Sequence, residues 1–185
     1  MISERFHQTK TQIRDDGAAI KAAQSDPRKF EPLYTKYYKQ ILEFVYLRLD
    51  SLQEAYDVTS EVFLRALEKL PDYEHRGLPF SSWLYRVAMN ELNQHFRKSK
   101  KFRAINIETS GVARILHEAD SSDHDADIAR MIECMKRLAS ADYLLIEMRF
   151  FESRSFKEIG EILEITENNA KVRTYRAVGK LKRIF

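Results

Sequence analysis

Apolar residues recur at steps of three and four along most of this chain, and that spacing limits its possible folds more than any other feature. One such run is Phe30, Tyr34, Tyr37, Ile41 and Phe44. Because an α-helix has about 3.6 residues per turn, this spacing places the side chains on one helix face, where we expect the aromatic rings to form core. The chain has only five glycines and four prolines in 185 residues, too few for a β-sandwich or a linker-dominated protein. The sequence therefore predicts an all-α fold.

Three helices are predicted in the first half of the chain. The first begins near Pro32, and the second covers Asp57 to Leu70, where Pro71 ends it. A loop follows, and Ser81 or Ser82 is the predicted N-cap of the third helix. The second and third helices have polar faces opposite their apolar stripes, acidic in one (Asp57, Glu61 and Glu68) and basic with amides in the other (Arg86, Asn90, Asn93, Arg97 and Lys101).

Charge is arranged in blocks of opposite sign. Residues 86–103 contain six basic side chains and one acidic one, residues 108–127 contain six acidic side chains and one basic one, and residues 171–185 contain six basic side chains and no acid. Basic blocks of this kind are typical of proteins that contact a polyanion, although a basic helix face can also be plain solvated surface.

The acidic block coincides with a loss of helical periodicity. This combination predicts a flexible acidic linker at residues 105–127, between helical domains at 28–104 and 128–185. Residues 1–27 are interpreted as an N-terminal extension. The expected architecture is two small helical domains joined by a linker.

Two short helices are predicted near the end of the second domain. Ser155 and Thr166 are good N-caps, and Glu158 completes a capping box on the first helix. The second helix has an inward stripe of Ala170, Thr174, Ala177 and Leu181, and its outward positions are Asn168, Asn169, Lys171, Arg173, Tyr175 and Arg176. A pair of short helices with a basic, amide-rich second member is the sequence pattern of a helix-turn-helix.

Several classes of protein are excluded by missing residues. The glycines are isolated, so no Gly-rich nucleotide loop can be written, and the histidines include no H-x-x-x-H pair. Cys134 is the only cysteine, which excludes an internal disulfide and a Cys-rich metal site, and we expect it in the core. We therefore predict no enzymatic activity, no cofactor and no metal. A single cysteine is typical of the reducing cytoplasm, where we expect the protein, and the absence of a long apolar run predicts no membrane insertion.

Four sequence blocks resemble, in order, the extracytoplasmic-function (ECF) group of bacterial sigma factors. They are Asp57-Val-Thr-Ser-Glu-Val-Phe, Trp83-Leu-Tyr-Arg-Val-Ala-Met-Asn followed by Arg97-Lys98, Ser155-Phe-Lys-Glu-Ile-Gly, and Ala170-Lys-Val-Arg-Thr-Tyr-Arg-Ala. The resemblance covers about residues 28–101 and 128–183. Ser60, Gln94, Gly160 and Glu164 depart from the usual residues of the group, which are Gln, Asp, Ala and Gly. Of these, Glu164 takes a turn position that favours positive φ, where a residue other than glycine is strained.

The resemblance implies a sigma factor that binds core RNA polymerase through its β′ and β subunits. It implies recognition of minus-ten and minus-thirty-five promoter elements, promoter melting for a stress- or envelope-responsive regulon, and an inhibitory anti-sigma factor. Asp57 and Glu61 would face the positively charged coiled coil of β′, since carboxylates one turn apart can meet a basic surface together. The acidic linker would either lie in a basic channel of polymerase or stay mobile.

The same resemblance implies two sets of DNA-binding residues. Trp83 is left out because its spacing fits the core equally well, and the more distant Lys180, Lys182 and Arg183 are either phosphate contacts or solvated charges. The minus-ten set is Tyr73, His75, Arg76 and Phe80 in a base-capturing loop and Arg86, Asn90, Asn93 and Arg97 along the strand, and the minus-thirty-five set is Asn168, Asn169, Lys171, Arg173, Tyr175 and Arg176. Arg173 or Arg176 is the expected guanine reader, because a guanidinium can span two acceptors.

The alternative is a stand-alone helix-turn-helix regulator that binds duplex DNA without polymerase. A simple repressor has no use for the acidic helix and the Trp83 to Arg97 block of the first domain. These features favour the sigma-factor hypothesis.

Overall fold

A computed structural model of the chain describes residues 9–49, 51–99 and 125–185. The described residues up to Ser99 belong to one compact unit, and those from Asp125 onward belong to another. Each unit consists of helices joined by turns, with no strand among the described residues. The predicted all-α fold with two helical domains is confirmed. Residues 105–124 of the predicted linker lie outside the described residues, and its last three positions begin a helix.

Eight α-helices are present in residues 9–49, 51–99 and 125–185. The first unit contains α1 (Lys10–Ser25), α2 (Glu31–Tyr46), α3 (Leu52–Lys69) and α4 (Phe80–Ser99), with short 3-10 turns at Pro27–Phe30 and Leu70–Asp72. The second contains α5 (Asp125–Lys136), α6 (Ser140–Ile146), α7 (Phe156–Leu163) and α8 (Glu167–Ile184), with a π-helical turn at Glu147–Phe151 between α6 and α7.

The apolar stripes of α2, α3 and α4 form the core of the first unit. Ile41, Val62 and Leu84 are among the side chains buried there. Helix α3 begins five residues before the predicted start, at Leu52, because the Ser51 side chain accepts a hydrogen bond from the Glu54 N–H and caps it.

The predicted N-cap of α4 is wrong. The helix begins at Phe80, so Ser81 and Ser82 are buried in its first turn. The Ser82 N–H donates to the Pro79 carbonyl at 2.9 Å, which closes the first turn earlier than a serine cap would.

Helix α1 is a packed element within the segment interpreted as an extension. Thr9 and Gln12 form a capping box at its start, with the Thr9 N–H donating to the Gln12 side chain at 2.8 Å. Ile20 is buried, and so is Asp16, whose carboxylate accepts hydrogen bonds from the Tyr37 hydroxyl and the Lys36 ammonium of α2. A carboxylate leaves water at low cost only when it is paired in this way. Asp16 therefore fixes α1 onto α2.

The core of the second unit joins α5, α6 and α8. Its buried cluster consists of Ile132, Met135, Tyr143, Ile146 and Ala177. Cys134 is buried as predicted, and its thiol donates to the Ile184 carbonyl at 3.4 Å. The end of α8 is thereby held against α5.

The turn between α7 and α8 has the geometry of a helix-turn-helix. The C-cap of α7 is Glu164, which is left-handed with φ 55° and ψ 41°, so the predicted positive φ is confirmed. The Ile165 N–H donates to the Gly160 carbonyl at 3.0 Å. A Cβ atom at position 160 would lie 2.8 Å from the Ile165 carbonyl oxygen, a distance that no side chain tolerates. The bare backbone of Gly160 is what lets the turn close against α7.

Two glycine substitutions in the same unit are expected to change stability in opposite directions. Gly160→Ala should lower the free energy of unfolding by about 1–3 kcal/mol, because the added methyl overpacks the turn. Gly179→Ala should raise it by about 1 kcal/mol, because nothing lies within 4 Å of a Cβ there and alanine is the better helix former. Urea denaturation followed by circular dichroism measures both, and an equally stable Gly160→Ala protein would contradict the close approach.

Candidate nucleic-acid and polymerase interfaces

One cation, Arg65, lies on the acidic face of α3. Asp57 is exposed and accepts a hydrogen bond from the Gln53 amide at 3.3 Å. The Glu61 carboxylate instead lies 3.1 Å from the Arg65 guanidinium, which also contacts Glu68 at 2.9 Å. The hydrogen bond to Glu68, with the charges of Glu68, Glu61 and Glu91, raises the pKa of the Arg65 guanidinium. Sequence reasoning missed Arg65, although its spacing of three and four residues from these acids signals such pairs.

Exposed apolar side chains border this acidic face. Leu64 is half-exposed and stands between Glu61 and Glu68 in sequence. Tyr34 was expected in the core, but 41% of its surface is exposed while its ring packs on Phe63 at 4.8 Å. Tyr34 therefore packs on the core with part of its ring and reaches solvent with the rest.

The loop at residues 73–79 contributes one aromatic ring to the surface and not two. Phe80 was predicted to contact DNA, but it is fully buried, with ring centroids 5.7 Å from Tyr37 and 5.3 Å from Trp83. A ring enclosed on these sides is a core residue, and this position does not suit the predicted contact with a DNA base. Trp83 is buried as well. Tyr73 is half-buried, and its ring centroid lies 4.7 Å from that of Trp83.

The two other predicted loop residues differ in their surroundings. Arg76 is exposed and pairs with Glu74 at 3.4 Å. His75 is half-buried beside Gly17 of α1. Helix α1 also holds the start of the loop, since the Gln24 side-chain amide donates to the carbonyls of Leu70 at 2.9 Å and Tyr73 at 2.8 Å. Sequence reasoning missed Gln24, because a single glutamine has no periodic signal.

The polar face of α4 presents three of its four predicted strand contacts. Asn90, Asn93 and Arg97 are exposed and follow one another at steps of three and four residues, so they share a face. Arg86, at the start of this row, is half-buried. The structure brings the exposed three together and sets Arg86 deeper.

The exposed face of α8 has an apolar residue at its centre. Ala170, Thr174 and Ala177 are buried, and successive residues turn by about 100°, so Val172 points almost directly away from them. Val172 is 38% exposed. The sequence pattern did not single out Val172, because only cations and amides on this helix were considered as DNA contacts.

The predicted residues surround Val172 on α8. Asn168, Tyr175 and Arg176 lie nearest the centre of the exposed face, Lys171 and Arg173 lie on its opposite flanks, and Asn169 is half-buried. The Tyr175 ring packs on Phe156 of α7 at 6.0 Å, and Phe156 in turn lies 4.7 Å from the Arg149 guanidinium. This stack ties the exposed tyrosine to the first helix of the motif.

Charge on α8 has one sign beyond its first turn. Glu167 stabilises the helix N-terminus, and all later charged residues of the helix are basic. Lys180 is bound to Asp142 at 2.7 Å, whereas Lys182 and Arg183 are exposed. The described residues contain no cluster suited to a metal ion, and none of their helices has the length and apolarity to cross a bilayer.

One prediction separates the buried ring of the loop from its exposed cation. Phe80→Ala is expected to lower the free energy of unfolding of the first unit by about 3–5 kcal/mol, because it removes a fully buried ring. Arg76→Ala is the matched control, with a change within about 0.5 kcal/mol, since its contact with Glu74 is a surface ion pair. Urea denaturation measures both, and unchanged stability of Phe80→Ala would refute the core position.

Comparison with known proteins assigns each unit to a conserved region. Residues 33–102 match the family described as Sigma-70 region 2, and residues 134–183 match the family described as Sigma-70, region 4. One match falls in each compact unit, and together they cover more than half of the chain.

Similar proteins give the same assignment. The chain is 30% identical over 160 residues to the ECF RNA polymerase sigma factor BldN of Streptomyces coelicolor, covering 84% of this chain and 60% of BldN. It therefore spans less than two thirds of that relative. It is 25% identical over 193 residues to the ECF RNA polymerase sigma factor SigW of Bacillus subtilis, covering 99% of this chain and 96% of SigW.

A solved structure has the same fold. The co-crystal structure of the sigma factor RpoE with the anti-sigma factor NepR from Bartonella quintana matches 85% of this chain and 96% of the compared chain, with a TM-score of 0.57 and 16% identity. Both conserved regions are present in the family's order, each folded as its own helical unit. The chain belongs to the sigma-70 family, in the ECF group of RNA polymerase sigma factors.

Proposed function

We propose that this chain gives core RNA polymerase its promoter specificity, with one task for each exposed face. The acidic face of α3 binds polymerase, the 73–79 loop and α4 hold the melted minus-ten strand, and α8 reads the minus-thirty-five duplex. The observation that carries the proposal is the contrast between the acid-rich α3 face and the acid-free α8 face beyond its first turn. The α3 face is complementary to a basic partner, and the α8 face is complementary to an acidic one.

In this proposal, polymerase carries out the catalysis. The sigma-70 family is not a class of enzymes, and the chain acts in the cytoplasm, where it meets polymerase and DNA. A stand-alone helix-turn-helix regulator is disfavoured, because it would leave the region 2 unit without a partner. The anti-sigma factor bound to RpoE in its solved structure supports a partner of the same kind here, which would release this chain for a stress- or envelope-responsive regulon.

The polymerase contact depends on the net charge of the α3 face. Asp57, Glu61 and Glu68 outnumber Arg65, and Arg65 holds two of the three carboxylates at the surface. A basic partner would compete with Arg65 for these groups, since exposed ion pairs contribute little in water. Arg65 therefore weakens the attraction and limits the geometry in which Glu61 can be bound.

Changing the α3 charges is expected to shift polymerase affinity both ways. Asp57→Lys with Glu61→Lys should lower affinity for core polymerase about tenfold or more at low salt, and Arg65→Ala should raise it. Both differences should shrink as salt rises, because screening weakens charge attraction. The measurement is fluorescence anisotropy of labelled full-length protein with core polymerase.

The control for this experiment reverses two exposed acids elsewhere in the unit, Asp15→Lys with Glu31→Lys. Their effect should be small because neither lies on α3. Equal losses in the control and the α3 variant would show that only total charge matters and would remove the α3 contact.

Promoter reading by α8 combines a central apolar contact with basic flanks. In the major groove an exposed Val172 suits the 5-methyl group of a thymine, while Lys171 and Arg173 on the flanks suit phosphates. Arg176 lies closer to the centre of the face than Arg173, so it is the better placed of the two for a guanine edge. Asn168, on the same face, suits adenine.

Removing one methyl group from the DNA tests the Val172 contact. Replacing thymine by deoxyuridine at one minus-thirty-five position should weaken binding by the wild-type holoenzyme about fourfold, the value of one buried carbon at about 0.8 kcal/mol. Val172→Ala should reduce that ratio towards one. Arg176→Ala is the control, which weakens binding while leaving the thymine-to-uracil ratio unchanged, as competition binding with duplex promoters would measure. A wild-type protein indifferent to every thymine methyl would exclude the contact.

A further inference from the structure

A groove of about 650 Å³ lies between α1 and the 73–79 loop. Arg14, Gly17 and Lys21 line it from α1, and His75 and Gly77 line it from the loop. The α1 wall precedes residue 33, where the matched region 2 begins. The groove therefore adds to the loop a surface that the region 2 match does not include.

The walls of this groove are held by contacts on both sides. Asp16 and Ile20 fix the other face of α1 to the unit, with Asp16 accepting hydrogen bonds from α2. The Gln24 amide, one turn beyond Lys21, holds the loop through the carbonyls of Leu70 and Tyr73. A site with fixed walls binds without a large ordering cost.

Gly17 brings the loop and the helix into close approach. A Cβ atom at position 17 would lie 3.2 Å from Cδ2 of His75, so the imidazole rests against bare helix backbone. The Nδ1 atom of His75 is buried and has no hydrogen-bond partner among the described residues.

The charges that line the groove are all positive. Arg14 and Lys21 are exposed cations on one face of α1, and the groove has no acidic lining residue among those described. Arg14 forms an ion pair with Asp15 at 4.0 Å, and both side chains are mostly exposed to water. Such a pair contributes little, so Arg14 can turn to an anion in the groove.

We propose that this groove binds a backbone phosphate of the melted promoter strand, next to the nucleotide held by the loop. Arg14 and Lys21 supply the two positive charges, and the His75 ring lines the groove beside the bare backbone of Gly17. A single strand gains affinity from cationic tracks that run beside stacking residues, and here Tyr73 belongs to the same loop. The proposal rests on the proposed function and assigns α1 as the second wall of the single-strand site.

The test removes phosphate charges one at a time. Holoenzyme is bound to single-stranded minus-ten oligonucleotides that each carry one neutral methylphosphonate linkage. Wild type should lose affinity several-fold at one linkage beside the loop-bound base. Arg14→Ala with Lys21→Ala should bind the unmodified strand several-fold more weakly, should be insensitive to that linkage, and should lower the slope of log affinity against log salt by about 0.7 per lost contact.

The control variant is Arg28→Ala with Lys29→Ala, two exposed cations of the same unit outside the groove. It should retain both the linkage sensitivity and the affinity. Because all four side chains are exposed, circular dichroism and core polymerase binding should be unchanged in every variant.

Two results would overturn the groove proposal while leaving the proposed function intact. One is a groove variant that keeps the wild-type linkage pattern and still supports transcription. The other is displacement of the strand by inorganic phosphate when free phosphate is no more concentrated than the phosphate groups of the strand. That result would make the groove a general anion site. A wild-type holoenzyme that binds no minus-ten strand at all would instead refute the proposed function.

Discussion

Tyr37 joins three parts of the first unit through one buried side chain. Its ring packs 5.7 Å from Phe80 at the start of α4, and its hydroxyl donates to the buried Asp16 of α1. Phe80 then packs against Tyr73 of the loop at 5.4 Å. The positions of α1, the 73–79 loop and α4 therefore depend on one phenol that is apolar on its ring and polar at its tip.

The two units hold their proposed DNA-binding residues in place by different means. In the first, aromatic packing and the buried Asp16 hold a loop that presents the exposed Arg76. In the second, a regular helix presents its side chains, and the close approach of Gly160 to the Ile165 carbonyl sets how α8 leaves the turn. A loop suits an unstacked base, whereas a rigid helix suits the major groove of intact duplex.

Periodicity predicted the helices and most exposed site residues, because helical spacing alone decides which side chains share a face. It could not place Phe80. An aromatic residue after a proline is equally compatible with a core and a surface position, and its neighbours in α2 decide between the two. Helix α1 was missed because Gly17, Ala18 and Ala19 interrupt its apolar stripe, although Thr9 and Gln12 signalled its start. Gln24 was beyond reach, because its partners are backbone carbonyls about fifty residues away.

The burial of Cys134 makes the chain convenient for site-specific chemistry. It is the only cysteine, and its thiol is enclosed and bonded to the Ile184 carbonyl, so thiol reagents in water reach it poorly. A cysteine introduced on the exposed surface of α3 or α8 would thus be the one accessible thiol. Pairs of such positions can carry spectroscopic labels without removing a native residue, and the separation of the units can be followed as polymerase and promoter bind.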